Sequence, residues 1–168
     1  VTIAEAADGY INDAEAISGG GSAATLSLPT GAAAGDTIAL LVNRPGTPDT
    51  TIAYTLTVGD IGAGTATINI PTANLTTDGA HSVTATITDS NGNVGATSAA
   101  ATFTLDRTPP GAPSAPNLTA GSDTGSSNTD NVTRDTTPTF SGNGAAGGAS
   151  IRLFDTDGTT VIGTGTAN

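Results

Sequence analysis

The chain has no cysteine, methionine, tryptophan or lysine, a single histidine, and only five aromatic residues among 168. Without cysteine there are neither disulfide staples nor thiolate metal sites. A core has to be assembled from Val, Ile, Leu and Ala, which bury less area per residue than aromatic rings do. The lone histidine, His81, has no second His or Cys with which to form an ordinary transition-metal site or a thiol dyad, so a structural role is expected for it. Four arginines are too few for a phosphate-binding surface, which argues against nucleic acid as a partner. No apolar run reaches the length of a transmembrane helix, and no signal peptide is visible, as an internal fragment would show.

What is abundant is aspartate. Thirteen Asp and two Glu face four Arg, for a net charge of −11. A surface made acidic for solubility alone would draw on Glu and Lys as well. Short carboxylates instead favour turns and loop ends, where they cap backbone groups or hold a hard cation. The bias leads to an expectation of bound calcium.

Apolar and polar residues alternate with period two through most of the first 106 residues. "TIAYTLTV" (51–58) puts Ile52, Tyr54, Leu56 and Val58 on one face, "TATINI" (65–70) does so with Ala66, Ile68 and Ile70, and "HSVTATIT" (81–88) with Val83, Ala85 and Ile87. Together with "VTIAE" (1–5), "AATLSL" (23–28), "DTIALLV" (36–42) and "ATFTL" (101–105), these make seven expected strands, separated by turns rich in Gly, Pro and Asp. No helix is expected. The pattern predicts an all-β protein of antiparallel immunoglobulin-like β-sandwich modules in tandem.

The tandem reading rests on an internal repeat. "GAAAGDTIALLV" (31–42) aligns without gaps on "GAAGGASIRLFD" (144–155), 113 residues later. The expected division is a complete module over 1–107, a Pro-rich joint over 108–116, and the N-terminal half of a second module over 117–168. By that offset Asn168 corresponds to residue 55, so the second module is expected to be truncated and to leave sheet faces bare.

"TDGAHSVTATITDSNGNVGATS" (77–98), "TLDRTPPGAPSAP" (104–116) and "DNVTRDTTPTFSGNGAAGGASIRLFDTDGTTVIGTGTA" (130–167) resemble bacterial immunoglobulin-like repeats, which build the stalks of giant biofilm and host-attachment adhesins. That resemblance implies a calcium-dependent β-sandwich, arrayed in tandem and exported to the bacterial cell surface, typically by type I secretion. Neighbouring repeat modules would be its partners.

Strand order offers a separate route to the calcium ligands. In an up-down sandwich the loops after odd-numbered strands gather where the chain leaves the module. Those loops and the exit itself hold Glu5, Asp8, Asp13, Glu15, Asp49, Asp78 and Asp106, whereas the opposite end has Asp36, Asp60 and Asp89. Carboxylates converging on one pole repel unless a cation taking six to eight oxygens sits among them. Asp106, just before the hinge, is the foremost candidate. Asp89, in "DSNGN" (89–93), would face a preceding module and is a hairpin residue as readily as a ligand. In the second module Asp123, Asp130, Asn131 and Asp135 occupy the corresponding loop, while "FDTDGTTV" (154–161) is expected to be a hairpin turn.

Other chemistry finds little support. "EAADGYINDAEA" (5–16) has the Gly, Ile and Glu of an EF-hand loop, but Ala4 and Ala6 stand at the first and third ligand positions. No Gly-x-Ser-x-Gly elbow precedes a helix, and the Gly-rich stretches lack a lysine. The Asn-x-Thr sequons at Asn74, Asn117 and Asn131 are explained by a Thr-rich composition. The threonine rows read as the solvent face of a sheet. The expectation is a non-enzymatic extender module stiffened by calcium at its joints. The alternatives are a module that itself binds a glycan, protein or ice, and an accessory module of a secreted enzyme.

Overall fold

The computed structural model describes all 168 residues. Contacts divide the chain into two units, Val1–Thr108 and Pro109–Asn168.

In the first unit, alternation becomes two facing sheets. Its strands are β1 (Thr2–Ile3), β2 (Tyr10–Asn12), β3 (Gly21–Ser27), β4 (Thr37–Asn43), β5 (Thr50–Thr55), β6 (Thr65–Pro71), β7 (Gly79–Thr88) and β8 (Ala101–Asp106). The smaller sheet has the order β1-β3-β6 and the larger β2-β8-β7-β4-β5. Every pairing is antiparallel except β2 with β8, which run parallel with Asn12 opposite Asp106.

Alternate residues from both sheets meet in one aliphatic core. Ala24 and Leu26 of β3 and Ala66, Ile68 and Ile70 of β6 face Ile38, Leu40 and Val42 of β4, Val83 and Ala85 of β7, and Phe103 and Leu105 of β8. Phe103 is the only buried aromatic in it. Gly21 is required at the start of β3, because a Cβ there would lie 2.0 Å from the Ile70 carbonyl oxygen. The architecture is that of an immunoglobulin-like β-sandwich.

Three expectations are corrected. There are two short helices, α1 (Asp13–Ile17) and α2 (Val58–Ala63), each opened by a capping box: Asn12 with Glu15, and Thr57 with Asp60. Gly64 closes α2 in the left-handed conformation, at φ 68°. Val58, expected on the inward face of a strand, therefore begins α2 and is 78% exposed, and the "GDIGAG" turn lies largely within that helix. The first expected strand shrinks to Thr2–Ile3, and an unforeseen strand, β2, follows the 3-10 turn Ala4–Ala6. The chain thus crosses from the smaller sheet to the larger before its first helix.

The second unit has β9 (Asn117–Leu118), β10 (Phe140–Ser141), β11 (Ser150–Phe154) and β12 (Val161–Thr166), paired antiparallel as β9–β10 and β11–β12. One turn of the first unit recurs in it 113 residues on. Gly31 and Gly35 have positive φ, as do Gly144 and Gly148. The Asp36 amide donates to the Ala33 carbonyl at 3.2 Å, and the Ala149 amide to the Ala146 carbonyl at 3.0 Å. The same turn leads into β4 in one unit and β11 in the other. Leu118 is the one buried apolar residue in the second unit, while Phe140, Phe154, Val161 and Ile162 remain exposed. Residues of the expected joint belong to this unit: the Ser114 amide donates to the Asn143 carbonyl, and Ser114 Oγ accepts from the Asn143 amide.

Adjacent leucines in β4 test the sandwich register. Leu40 is fully buried and Leu41 is 39% exposed on the opposite face. Leu40→Ala should cost about 2–5 kcal/mol in chemical denaturation, while Leu41→Ala should stay within about 0.5–1 kcal/mol.

Candidate functional site

The end of the first unit where β8 leaves it collects several elements. β2 ends at Asn12 opposite Asp106, β7 begins at Gly79 opposite Leu105, and β4 ends at Asn43 opposite Ser82. β6 ends at Pro71 opposite Gly21. The expected gathering of loops 43–50 and 71–80 around the exit is therefore correct. Asp8 departs from that plan: it precedes β2, a strand length back from Asp106, and caps the Tyr10 amide at 2.9 Å.

The acids at this pole are organised by a residue that sequence reasoning passed over. Arg107 follows Asp106 at the exit, and its Nε donates to Asp13 Oδ1 at 2.6 Å in the molecule's one ion pair. Its Nη1 donates to the Leu75 carbonyl at 2.7 Å, and its backbone amide donates to Asp78 Oδ1 at 2.9 Å. The Thr108 hydroxyl donates to the other oxygen of Asp78. One arginine so ties α1, the β6–β7 connection and the exit strand together. The signal for it was Arg107 itself, the one cation in "TLDRTPP" among pole-facing carboxylates. The Thr108 hydroxyl and then the Arg107 amide hold the Asp78 carboxyl below its ordinary value of 3.8.

The remaining candidates of this unit each have a separate donor. Glu5 Oε2 accepts from the Ala23 amide at 3.0 Å, Glu15 Oε2 from the Asn12 amide at 2.9 Å, and Asp49 Oδ1 from Asn43 Nδ2 at 2.9 Å. Asp106 Oδ1 accepts from the Thr108 amide at 3.2 Å. At the opposite end Asp89 accepts from the Asn91 and Asn93 amides and from Asn93 Nδ2, closing the hairpin loop; Asn93 is the main cause of its lowered pKa. Nowhere do three His, Cys, Asp or Glu side chains gather around a point that one ion could share. A calcium ion at the exit pole would therefore have to compete with the donors these carboxylates already hold.

The second unit's loop between β9 and β10 is arranged differently. The Ser122 and Asp123 amides both donate to the Thr119 carbonyl at 2.9 Å. Ser122 Oγ donates to Asp135 Oδ2 at 3.1 Å, and the Leu118 amide donates to Asn131 Oδ1 at 3.0 Å. Asn131 is the one non-glycine residue with positive φ, at 58°. Asp130 caps the Val132 amide at 3.1 Å. Asp135 also takes the Thr137 amide, the main cause of its lowered pKa. Asp123 is 5% exposed; one carboxylate oxygen accepts from the Asn131 amide at 3.2 Å, and the other, Oδ1, is enclosed without a partner. Asp123 Oδ1 is therefore a buried carboxylate oxygen that the loop leaves without a donor.

Two expected structural roles hold. His81 is buried and stacks on Phe103 with centroids 5.1 Å apart, its Nδ1 3.0 Å from the Gly79 carbonyl. "FDTDGTTV" forms the turn between β11 and β12, where Asp157 accepts from the Thr159 and Thr160 amides and the Thr160 hydroxyl. That hydroxyl first, and then the two amides, bring the Asp157 carboxyl down to about 2.

Residues 110–168, within the second unit, match the family described as bacterial Ig-like domain. No curated protein and no solved structure matches the chain. No helix is long and apolar enough to cross a membrane.

Arg107→Ala should leave the Leu75 carbonyl and Asp13 without their donor and cost about 1–3 kcal/mol. Hydrogen exchange should accelerate at the amides of residues 106–108 while β4 and β7 stay protected. A pH series follows from the carboxylates. Asp78 and Asp157 have folded pKa values below 3.8, so their stabilising contribution is complete above that value and lost as pH falls through the folded one. Melting temperature should be level from pH 7 to about 5 and decline from about 4 towards 2.

Proposed function

We propose that the chain is part of the extender stalk of a large bacterial surface adhesin, in which tandem immunoglobulin-like units hold a distal binding domain away from the cell. The observation that carries this reading is the parallel pairing of β2 with β8 in the first unit. These are the strands near the two ends of that unit. Tension applied along the chain pulls β2 back towards its amino end and β8 on towards its carboxyl end. Parallel neighbours drawn apart in this way load their connecting hydrogen bonds in shear, so that the bonds share the force. Antiparallel end strands would open bond by bond.

The repeated turn and strand pair, recurring 113 residues on with the same glycine conformations, supports a serial design in which one unit follows another. The bacterial Ig-like match of residues 110–168 supports a bacterial surface setting; type I secretion is the export route that this reading assigns. No catalytic role belongs to this reading. Calcium stiffens the joints, drawn by a net charge of −11 and by the carboxylates at the exit pole. The Arg107 clamp already orders the exit strand, and calcium adds to it where carboxylates keep free lone pairs, as at Asp106.

Small-angle scattering of the whole chain in about 1–10 mM calcium and in chelator tests the stiffening. The maximum dimension should be longer and its distribution narrower with calcium. Identical curves in the two conditions would remove calcium from the mechanism.

A further inference from the structure

The five-stranded sheet of the first unit turns one face to the core and the other to water. On the outward face of β4, β5, β7 and β8 stand threonine, alanine and serine, joined only by Leu41, Asn43 and one charge. That charge is Asp106, the last residue of β8, at the margin of the sheet. A chain with a net charge of −11 has kept its carboxylates to loops, short helices and strand ends, and has left its broadest sheet face neutral. A face meant only for water ordinarily mixes in charged side chains.

The neutral face has a hollow and a bump. Ala80 lies beside Thr104 in one row, Ser82 between Thr102 and Asn43 in the next, and Leu41 beside Thr84 in the third. The first two rows border an open hollow of about 450 Å³, and Leu41 rises from the third, 39% exposed. A second copy turned over about a two-fold axis lying in the face, midway between Leu41 and the hollow, sets its own Leu41 into that hollow. It receives the first copy's Leu41 in return. Strands about 4.8 Å apart and about seven residues long give the face roughly 500 Å². Two copies therefore bury about 1,000 Å², the lower bound for a specific contact and the size of a weak, transient one. Contact through the exit pole would instead set carboxylates against carboxylates. The smaller sheet is three strands wide, and Glu5 reaches its outward row at the Ala23 amide.

We infer that the outward face of the larger sheet is a self-association surface, through which two copies of the chain meet as a weak symmetric dimer. This rests neither on the stalk reading nor on calcium. The charges outside the contact still repel, so the dimer strengthens as salt screens them, the reverse of one held by ion pairs.

Sedimentation equilibrium of the complete chain in chelator, over about a hundredfold range of protein concentration, tests this. The mass should climb from the 16.1 kDa of one chain towards that of two. The association constant should rise tenfold or more between ionic strengths of about 0.01 and 0.15 M, as the Debye length falls from about 30 to 8 Å. Thr84→Glu sets like charges against each other at the centre of the contact and should weaken association about tenfold. Leu41→Ala should weaken it several-fold, and Thr67→Glu, which adds the same charge to the outward face of β6, should leave it unchanged. A chain that stays at 16.1 kDa throughout overturns the inference. So do variants at Thr84 and Thr67 that weaken association equally. Should Thr84→Glu fail to fold, amide shifts of the unmodified chain decide. Concentration-dependent shifts centred on Leu41, Ala80 and Ser82 uphold the surface, and shifts confined to the smaller sheet or the second unit overturn it. A monomer in which the same amides respond to a neutral oligosaccharide such as maltohexaose assigns the face to a glycan and overturns self-association.

Discussion

The rest of the first unit depends on one short contact, the parallel pairing of Tyr10, Ile11 and Asn12 with Thr104, Leu105 and Asp106. It takes the amino-terminal segment out of the smaller sheet, where β1 pairs with β3, and attaches it to the edge of the larger. Ile11 is thereby driven into the core without measurable exposure. The same register sets Asn12 beside Asp106, so that α1, capped by Asn12, carries Asp13 within reach of Arg107. The order of the exit follows from a pairing only three residues long.

Most of the sandwich could be read directly from alternation. β4, β6, β7 and β8 each bury every second residue, and each was anticipated within two residues at either end. Such strands are long enough for period two to stand out, and their inward faces meet one common core. The elements that escaped notice are short. β2 has three residues and α1 five, too few for any period to develop. α2 was hidden by a different effect: Val58 continues the alternation of β5, yet the capping box of Thr57 and Asp60 turns the chain into a helix one residue earlier. A local hydrogen-bonding signal overrode the hydrophobic pattern.

The carboxylates divide along similar lines. Their abundance in loops was legible, and so was their preference for one end of the first unit. Their partners were not, because a partner depends on register between distant segments. Arg107 and Asp13 are 94 residues apart in sequence and 2.6 Å apart in space. Asp89 and Asp157 close hairpins with donors from their own turns, the commonest use of aspartate in such positions. Asp123 is the exception among them. It lies in a loop where sequence reasoning anticipated ligands, but its burial and its orphaned oxygen come from folding alone.

These features describe a module organised around its ends. An aliphatic core gives the first unit a single cooperative body, the β2–β8 pairing joins the strands through which tension would pass, and the Arg107 clamp fixes where the chain departs. Single-molecule force extension of the chain, held by its termini, addresses the mechanical claim most directly. The first unit, Val1–Thr108, should resist and then yield in one step of roughly 35 nm, at about 3.3–3.6 Å per extended residue. Substituting Pro at Ile11 should lower the force of that step. Extension at low force through many small increments, or a step force indifferent to Ile11→Pro, would contradict the claim that the β2–β8 pairing resists tension.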